Sequence, residues 1–119
     1  MKTFNGVVVE YNSLIQQSRF KEALDSFYAD EAVFSANLDL PTKGIAGLRT
    51  LVETLTQIVT IEKMELVSLL IENNLSVTNW YCALDHKKFG PIDMHYLSAQ
   101  RWKNNKIIQH NLLFGWERS

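Results

Sequence analysis

The chain has 119 residues, 46% of them hydrophobic, which suits one domain with a buried core and leaves little room for a second module. Its formal net charge is −1, and Lys87, Lys88, Lys103 and Lys106 sit at hairpin-like positions instead of forming a stripe, so the cationic footprint of a nucleic-acid binder is missing. No run of about 18 apolar residues is present and residues 1–6 carry no apolar leader core, so no membrane association is expected and the protein is placed in the cytoplasm.

Val7, Val8, Tyr11, Leu14 and Ile15 recur at three- and four-residue steps and predict a first helix, with Glu10, Asn12, Gln16 and Gln17 on its outer side. Ser18 is placed to cap a short second helix, whose apolar face is Phe20, Ala23, Leu24 and Phe27 and which ends near Tyr28 and Asp30. A strand is expected over Ala32 to Asn37, followed by a loop over 38–44 punctuated by Pro41 and Gly44. Ile45, Leu48, Leu51, Val52, Leu55 and Val59 predict a long amphipathic third helix, with Arg49 and Glu53 paired across one turn on its solvent side.

Beyond residue 60 the period changes to two. Segments 61–73, 74–87, 91–103 and 106–116 are rich in β-branched and aromatic residues and are separated by Asn73-Asn74, Phe89-Gly90-Pro91 and Asn104-Asn105, the pattern of an antiparallel meander. Helices ahead of an antiparallel sheet make an α+β fold over 1–119, with the helices on one face of a bent sheet.

The inner face is read from alternation. In the third meander segment it carries Ile92, Met94, Tyr96, Ser98, Gln100 and Trp102, and in the fourth Ile108, His110, Leu112, Phe114 and Trp116. Such a face suits a packed core or a pocket for a small apolar molecule, and it holds no carboxylate. The other face mixes Asp93, His95 and Arg101 with Leu97, Ala99 and Leu113, and a half-apolar outer face is where a homodimer is expected.

His110 is the only titratable side chain on the inner face of its strand. Near Ser98 and Tyr96 it is a candidate general base with a pKa near neutrality, or a hydrogen-bond donor to a ligand carbonyl. Ser98 and His110 lack an orienting carboxylate and no Gly-x-Ser-x-Gly turn occurs, which argues against a serine hydrolase. Asp85, His86, Asp93 and His95 lack the spacing of a zinc site, so no metal is expected. No glycine-rich phosphate loop is present and no cofactor is expected. Cys82, the only cysteine, reads as a small buried hydrophobe. Of the neighbours Trp80 and Tyr81, Trp80 is the one expected to face inward.

Tyr28-Ala29-Asp30-Glu31-Ala32-Val33-Phe34, the Gly44-Ile45-Ala46-Gly47-Leu48 helix start and Arg101-Trp102-Lys103-Asn104-Asn105-Lys106-Ile107 together resemble the NTF2-like superfamily, in its SnoaL-like and ketosteroid-isomerase branch. The resemblance covers essentially the whole chain. It implies a cone in which a curved antiparallel sheet wraps around three N-terminal helices with a central pocket, usually as a homodimer through the outer sheet face. Isomerases of this kind use a carboxylate base, with a tyrosine and a protonated aspartic acid holding the oxyanion. Here Ala36 stands at the base position and Ser98 at the acid position, while Tyr11 matches the tyrosine. The last strand resembles SnoaL-type cyclases in keeping a histidine, His110, but Leu112 stands where they have an acid.

The function expected is binding of a small apolar molecule by Phe34, Trp80, Met94, Tyr96, Ser98, Gln100, Leu112 and Phe114. The alternative is an isomerase or cyclase acting on an apolar carbonyl compound, with His110 as general base and Tyr11 or Ser98 stabilising an enolate oxygen.

Overall fold

A computed structural model describes residues 3–37 and 40–114. The inward placement expected for Trp116 lies outside those residues. Helix α1 (Phe4–Gln16) starts where the Thr3 hydroxyl accepts the Gly6 N–H at 3.0 Å, satisfying one of the free donors of the first turn. It buries Val7, Val8 and Tyr11, and also Asn12, which the three- and four-residue periodicity places on the outer side. Asn12 follows Val8 by four residues and precedes Ile15 by three, so it belongs to their row.

Ser18 does not cap the second helix. It takes a left-handed conformation (φ 59°) and donates its N–H to the Ile15 carbonyl, closing α1 instead. Helix α2 (Phe20–Phe27) buries Ala23, Leu24 and Phe27 as its spacing predicts. Strand β1 (Tyr28–Ala36) follows without a connecting loop, four residues earlier than expected, and a two-residue strand β2 (Thr42–Lys43) pairs with it inside the expected loop. Helix α3 (Ile45–Ile58) enters through Gly44 at φ 88°, a conformation costly to any residue with a Cβ. Arg49 reaches Asp25 of α2 at 3.1 Å and not Glu53; both side chains are half exposed, so the pair contributes little.

The meander is formed by β3 (Val59–Glu72), β4 (Leu75–His86), β5 (Gly90–Lys103) and β6 (Lys106–Phe114). Its turns hold Asn73, Asn104 and Asn105 at positive φ, which asparagine tolerates better than most residues. The strand order is β2-β1-β6-β5-β4-β3, and β1 runs parallel to β6, so the sheet is mixed where a wholly antiparallel one was expected.

Register breaks decide which residues point inward. Two in β3, at 61/63 and 66/68, switch its parity twice, so that Ile61, Met64, Leu66 and Leu69 oppose the even residues Leu84, Cys82, Trp80 and Thr78 of β4. A third, between Arg101 and Trp102, sets Trp102 opposite Ile107. Ile107 is therefore the fully buried residue, where strict alternation pointed to Ile108. Each bulge adds an unpaired residue and bends its strand, curving the sheet around the helices. Among the described residues no helix is long and apolar enough to cross a membrane.

Candidate functional site

Between the three helices and the inner sheet face lies a cavity of ≈ 280 Å³. Its wall takes Ile15 from α1, Leu24 from α2, Leu48, Leu51, Val52 and Leu55 from α3, and the inward residues of five strands. Among the described residues the wall includes no Asp, Glu, Lys or Arg. Phe34, Trp80, Met94, Tyr96, Ser98, Leu112 and Phe114 all stand on it, together with Tyr11 and His110. Gln100 does not: it is fully buried behind Ser98, a position that alternation alone cannot tell from the wall.

Polar groups gather at one end of the cavity in a continuous hydrogen-bonded chain. Trp102 Nε1 donates to Ser76 Oγ at 2.9 Å, Ser76 Oγ donates to Gln100 Oε1 at 2.7 Å, and Gln100 Nε2 donates to Ser98 Oγ. Ser98 Oγ lies 2.7 Å from His110 Nε2, His110 Nδ1 lies 2.6 Å from the Tyr28 hydroxyl, and that hydroxyl lies 3.0 Å from the Tyr11 hydroxyl. Tyr28 and Asn12, both on the wall, are the polar members that periodicity and resemblance do not point to. A strand starting at Tyr28 would have turned that ring inward.

The polarity of the chain follows from its far end. An indole nitrogen only donates, so Ser76 accepts there and gives its proton to Gln100. Ser98 already accepts from Gln100, and its own proton pairs only if it goes to His110 Nε2. The imidazole then carries its proton on Nδ1 and donates to Tyr28, and Tyr28 donates to Tyr11. The reverse direction strands the proton of Ser98, which is buried, at the cost of an unpaired buried group. In the satisfied direction one proton is left over, on the Tyr11 hydroxyl, at the cavity wall.

Burial fixes the protonation of the group. It lowers the His110 pKa from 6.5 to about 3, keeping the ring neutral. Burial, with the neighbouring Tyr28 adding to it, raises Tyr11 well above the usual phenol value, and burial likewise raises Tyr28 and Tyr96. The Cys82 thiol is pushed up to about 11 by burial and by Asp93 beyond it. Two further polar features face this space. The Tyr96 hydroxyl has the Met64 sulfur at 3.9 Å, a weak acceptor. Asn12 donates its Nδ2 to the Val8 carbonyl at 2.9 Å, while its Oδ1 is buried without a hydrogen-bond partner.

On the outer face the Tyr81 ring leans tilted against His95, ring centres 5.2 Å apart, and Val67, Leu70, Leu97 and Leu113 are exposed. Among the described residues no three His, Cys, Asp or Glu side chains come together in a set able to hold a metal ion.

No protein-family model matches the chain, and no curated protein matches its sequence. Solved structures do resemble it. One is a protein described as a SnoaL-like polyketide cyclase from Mesorhizobium loti, with a TM-score of 0.85, 14% identity, and 93% of this chain and 98% of that chain covered. An LEH-like epoxide hydrolase from M. tuberculosis aligns with a TM-score of 0.73 at 15% identity over 92% and 80% of the two chains. An NTF2-like protein of unknown function from Cytophaga hutchinsonii aligns with a TM-score of 0.78 at 11% identity over 95% and 100%. At such identities the likeness is one of fold.

Proposed function

We propose that this chain, whose fold is the α+β cone of the NTF2-like proteins, binds a small apolar molecule in its central cavity and holds an oxygen of that molecule with the Tyr11 hydroxyl. One observation carries the reading: an apolar wall without carboxylate or amine groups ends in a hydrogen-bonded chain that terminates at the Tyr11 hydroxyl. Apolar lining with a few fixed polar groups is how ligand pockets orient their guests. Exposed Val67, Leu70, Leu97 and Leu113 support the accompanying reading that two copies pair through the outer sheet face.

The catalytic alternative asks His110 to take a proton from a bound carbonyl compound. Both ring nitrogens are already engaged, by Tyr28 and Ser98, and burial lowers the pKa to about 3. A base that weak and that enclosed removes few protons near neutrality. The cyclase and hydrolase names of the structural neighbours describe those proteins. In this chain the arrangement favours holding an oxygen over moving a proton.

Titration with N-phenyl-1-naphthylamine, an apolar dye that brightens when desolvated, tests the reading. Saturable binding of one dye per chain is expected, lost in Leu112→Trp, which fills the cavity from β6, and kept within about tenfold in His110→Gln. No saturable binding, or binding unchanged in a folded Leu112→Trp variant, defeats it. Turnover of a bound carbonyl compound that disappears with His110→Gln would favour the enzyme.

A further inference from the structure

We infer that Asn12 makes the cavity selective for ligands whose polar end carries a hydrogen-bond donor as well as an acceptor, such as a carboxamide in place of a simple ketone. The inference rests on the binding reading and deepens it. Tyr11 accounts for the acceptor, since its leftover proton needs an oxygen to meet. Asn12 accounts for the donor.

The orientation of the Asn12 amide is fixed by its own helix. A backbone carbonyl can only accept, so the atom 2.9 Å from the Val8 oxygen is the NH₂ nitrogen and the remaining atom is the carbonyl oxygen. That oxygen is buried without a partner, and it is the only such side-chain atom among the described residues. The residue itself is 3% exposed and lines the cavity. An unpaired carbonyl held out of water is costly, and a leucine in the Val8–Ile15 row would fill the same space without that cost. A ligand N–H or O–H is the group that removes it. Tyr11 and Asn12 are consecutive on α1 and both are among the residues lining the cavity, so one rigid helix carries a donor and an acceptor beside the same space.

A site built around a polar partner discriminates strongly against a ligand lacking it, because its own group is then left unpaired. Two probes of nearly equal shape separate this from simple apolar binding. 2-Naphthamide and 2-acetonaphthone share a fused ring and a carbonyl, and differ in an NH₂ in place of a methyl. Dissociation constants are measured by calorimetry for both probes on the wild-type chain and on Asn12→Leu. The ketone-to-amide ratio of dissociation constants is expected to fall by roughly tenfold or more in the variant. Tyr11→Phe is expected to weaken both probes while leaving that ratio within about twofold.

If Asn12→Leu does not fold, nuclear Overhauser contacts between the N–H protons of ¹⁵N-labelled 2-naphthamide and the Asn12 side chain of the wild-type protein give the answer. Their presence supports the inference and their absence overturns it. Both probes binding with a ratio unchanged by Asn12→Leu overturns the inference and leaves the cavity reading standing. Failure of either probe, and of the apolar dye, to bind overturns both.

Discussion

The two ends of the inner sheet face are made from the same strands, yet one is solid and the other is hollow. At the solid end Trp102 meets Phe4, Tyr11 and Phe27 edge to face at 5.7, 5.6 and 6.3 Å between ring centres, with Ile107 fully buried among them. At the hollow end Met64, Trp80, Cys82 and Leu84 form the buried floor. Helix α3 there lines the cavity with Leu51 and Leu55, which remain 39% and 46% exposed. The difference comes from cover. Helices α1 and α2 both press on the first end, while the open flank of α3 overlies the second. Aromatic rings in the solid end fill space that the hollow end keeps for a guest.

Two tryptophans give the sharpest test of that division, because Trp80 and Trp102 are 1% and 2% exposed and belong to opposite ends. Trp102→Ala should destabilise the chain by about 5 kcal/mol, since it opens a new void in the solid end and takes away the indole donor to Ser76. Trp80→Ala likewise removes an indole donor, here to Thr78, but it enlarges a void that already exists and should cost less, about 3 kcal/mol. Urea unfolding of the two variants compares them. Equal losses would mean that the floor of the cavity is packed as tightly as the solid end.

His110 stands where the two ends meet, and its burial predicts a pH dependence. The fold holds the neutral ring with a pKa lowered to about 3. Between that value and 6.5 the unfolded chain binds the extra proton. The stability is therefore whole above pH 6.5 and is lost as the pH falls, by about 3 kcal/mol at pH 4. Denaturant unfolding of wild type and His110→Gln at pH 7 and pH 4 isolates this term from the other titrating groups. The stability gap between the two proteins should shrink by about that amount at the lower pH. A gap that stays constant would show that the ring is hydrated in the folded chain.

Most of the architecture was legible because it depends on periodicity. The four meander strands fall within two residues of the segments that alternation marks, and helices α1 and α3 end about where their apolar rows end. What alternation cannot carry is a change of phase. The bulge at Trp102 put Ile107 in the place expected for Ile108, and the absence of a loop after Phe27 turned Tyr28 toward the cavity. The site was legible to the same extent. Apolar wall residues and His110 follow from strand parity, whereas Gln100 shares their parity but sits where the sheet is already covered. Asn12 escapes that reading because a polar residue usually lies on the outer side of a helix. Its row, between Val8 and Ile15, was the signal that could have found it.

The smallest expected effect sharpens the comparison from the side of α3. Leu51 and Leu55 touch the cavity yet keep about two-fifths of their surface in water, so replacing both with glutamine removes little burial. The stability loss should stay near 1 kcal/mol. Binding should respond more, because those two side chains form the apolar edge that a guest must contact: several-fold weaker binding of the naphthylamine dye and faster release are expected. Rapid-dilution kinetics on the double variant, beside its melting curve, separate the two effects. A large stability loss would make α3 a structural wall, and unchanged release would place the entrance elsewhere. Weaker binding and faster release with little loss of stability are what a cavity closed on one side by a lightly held helix requires.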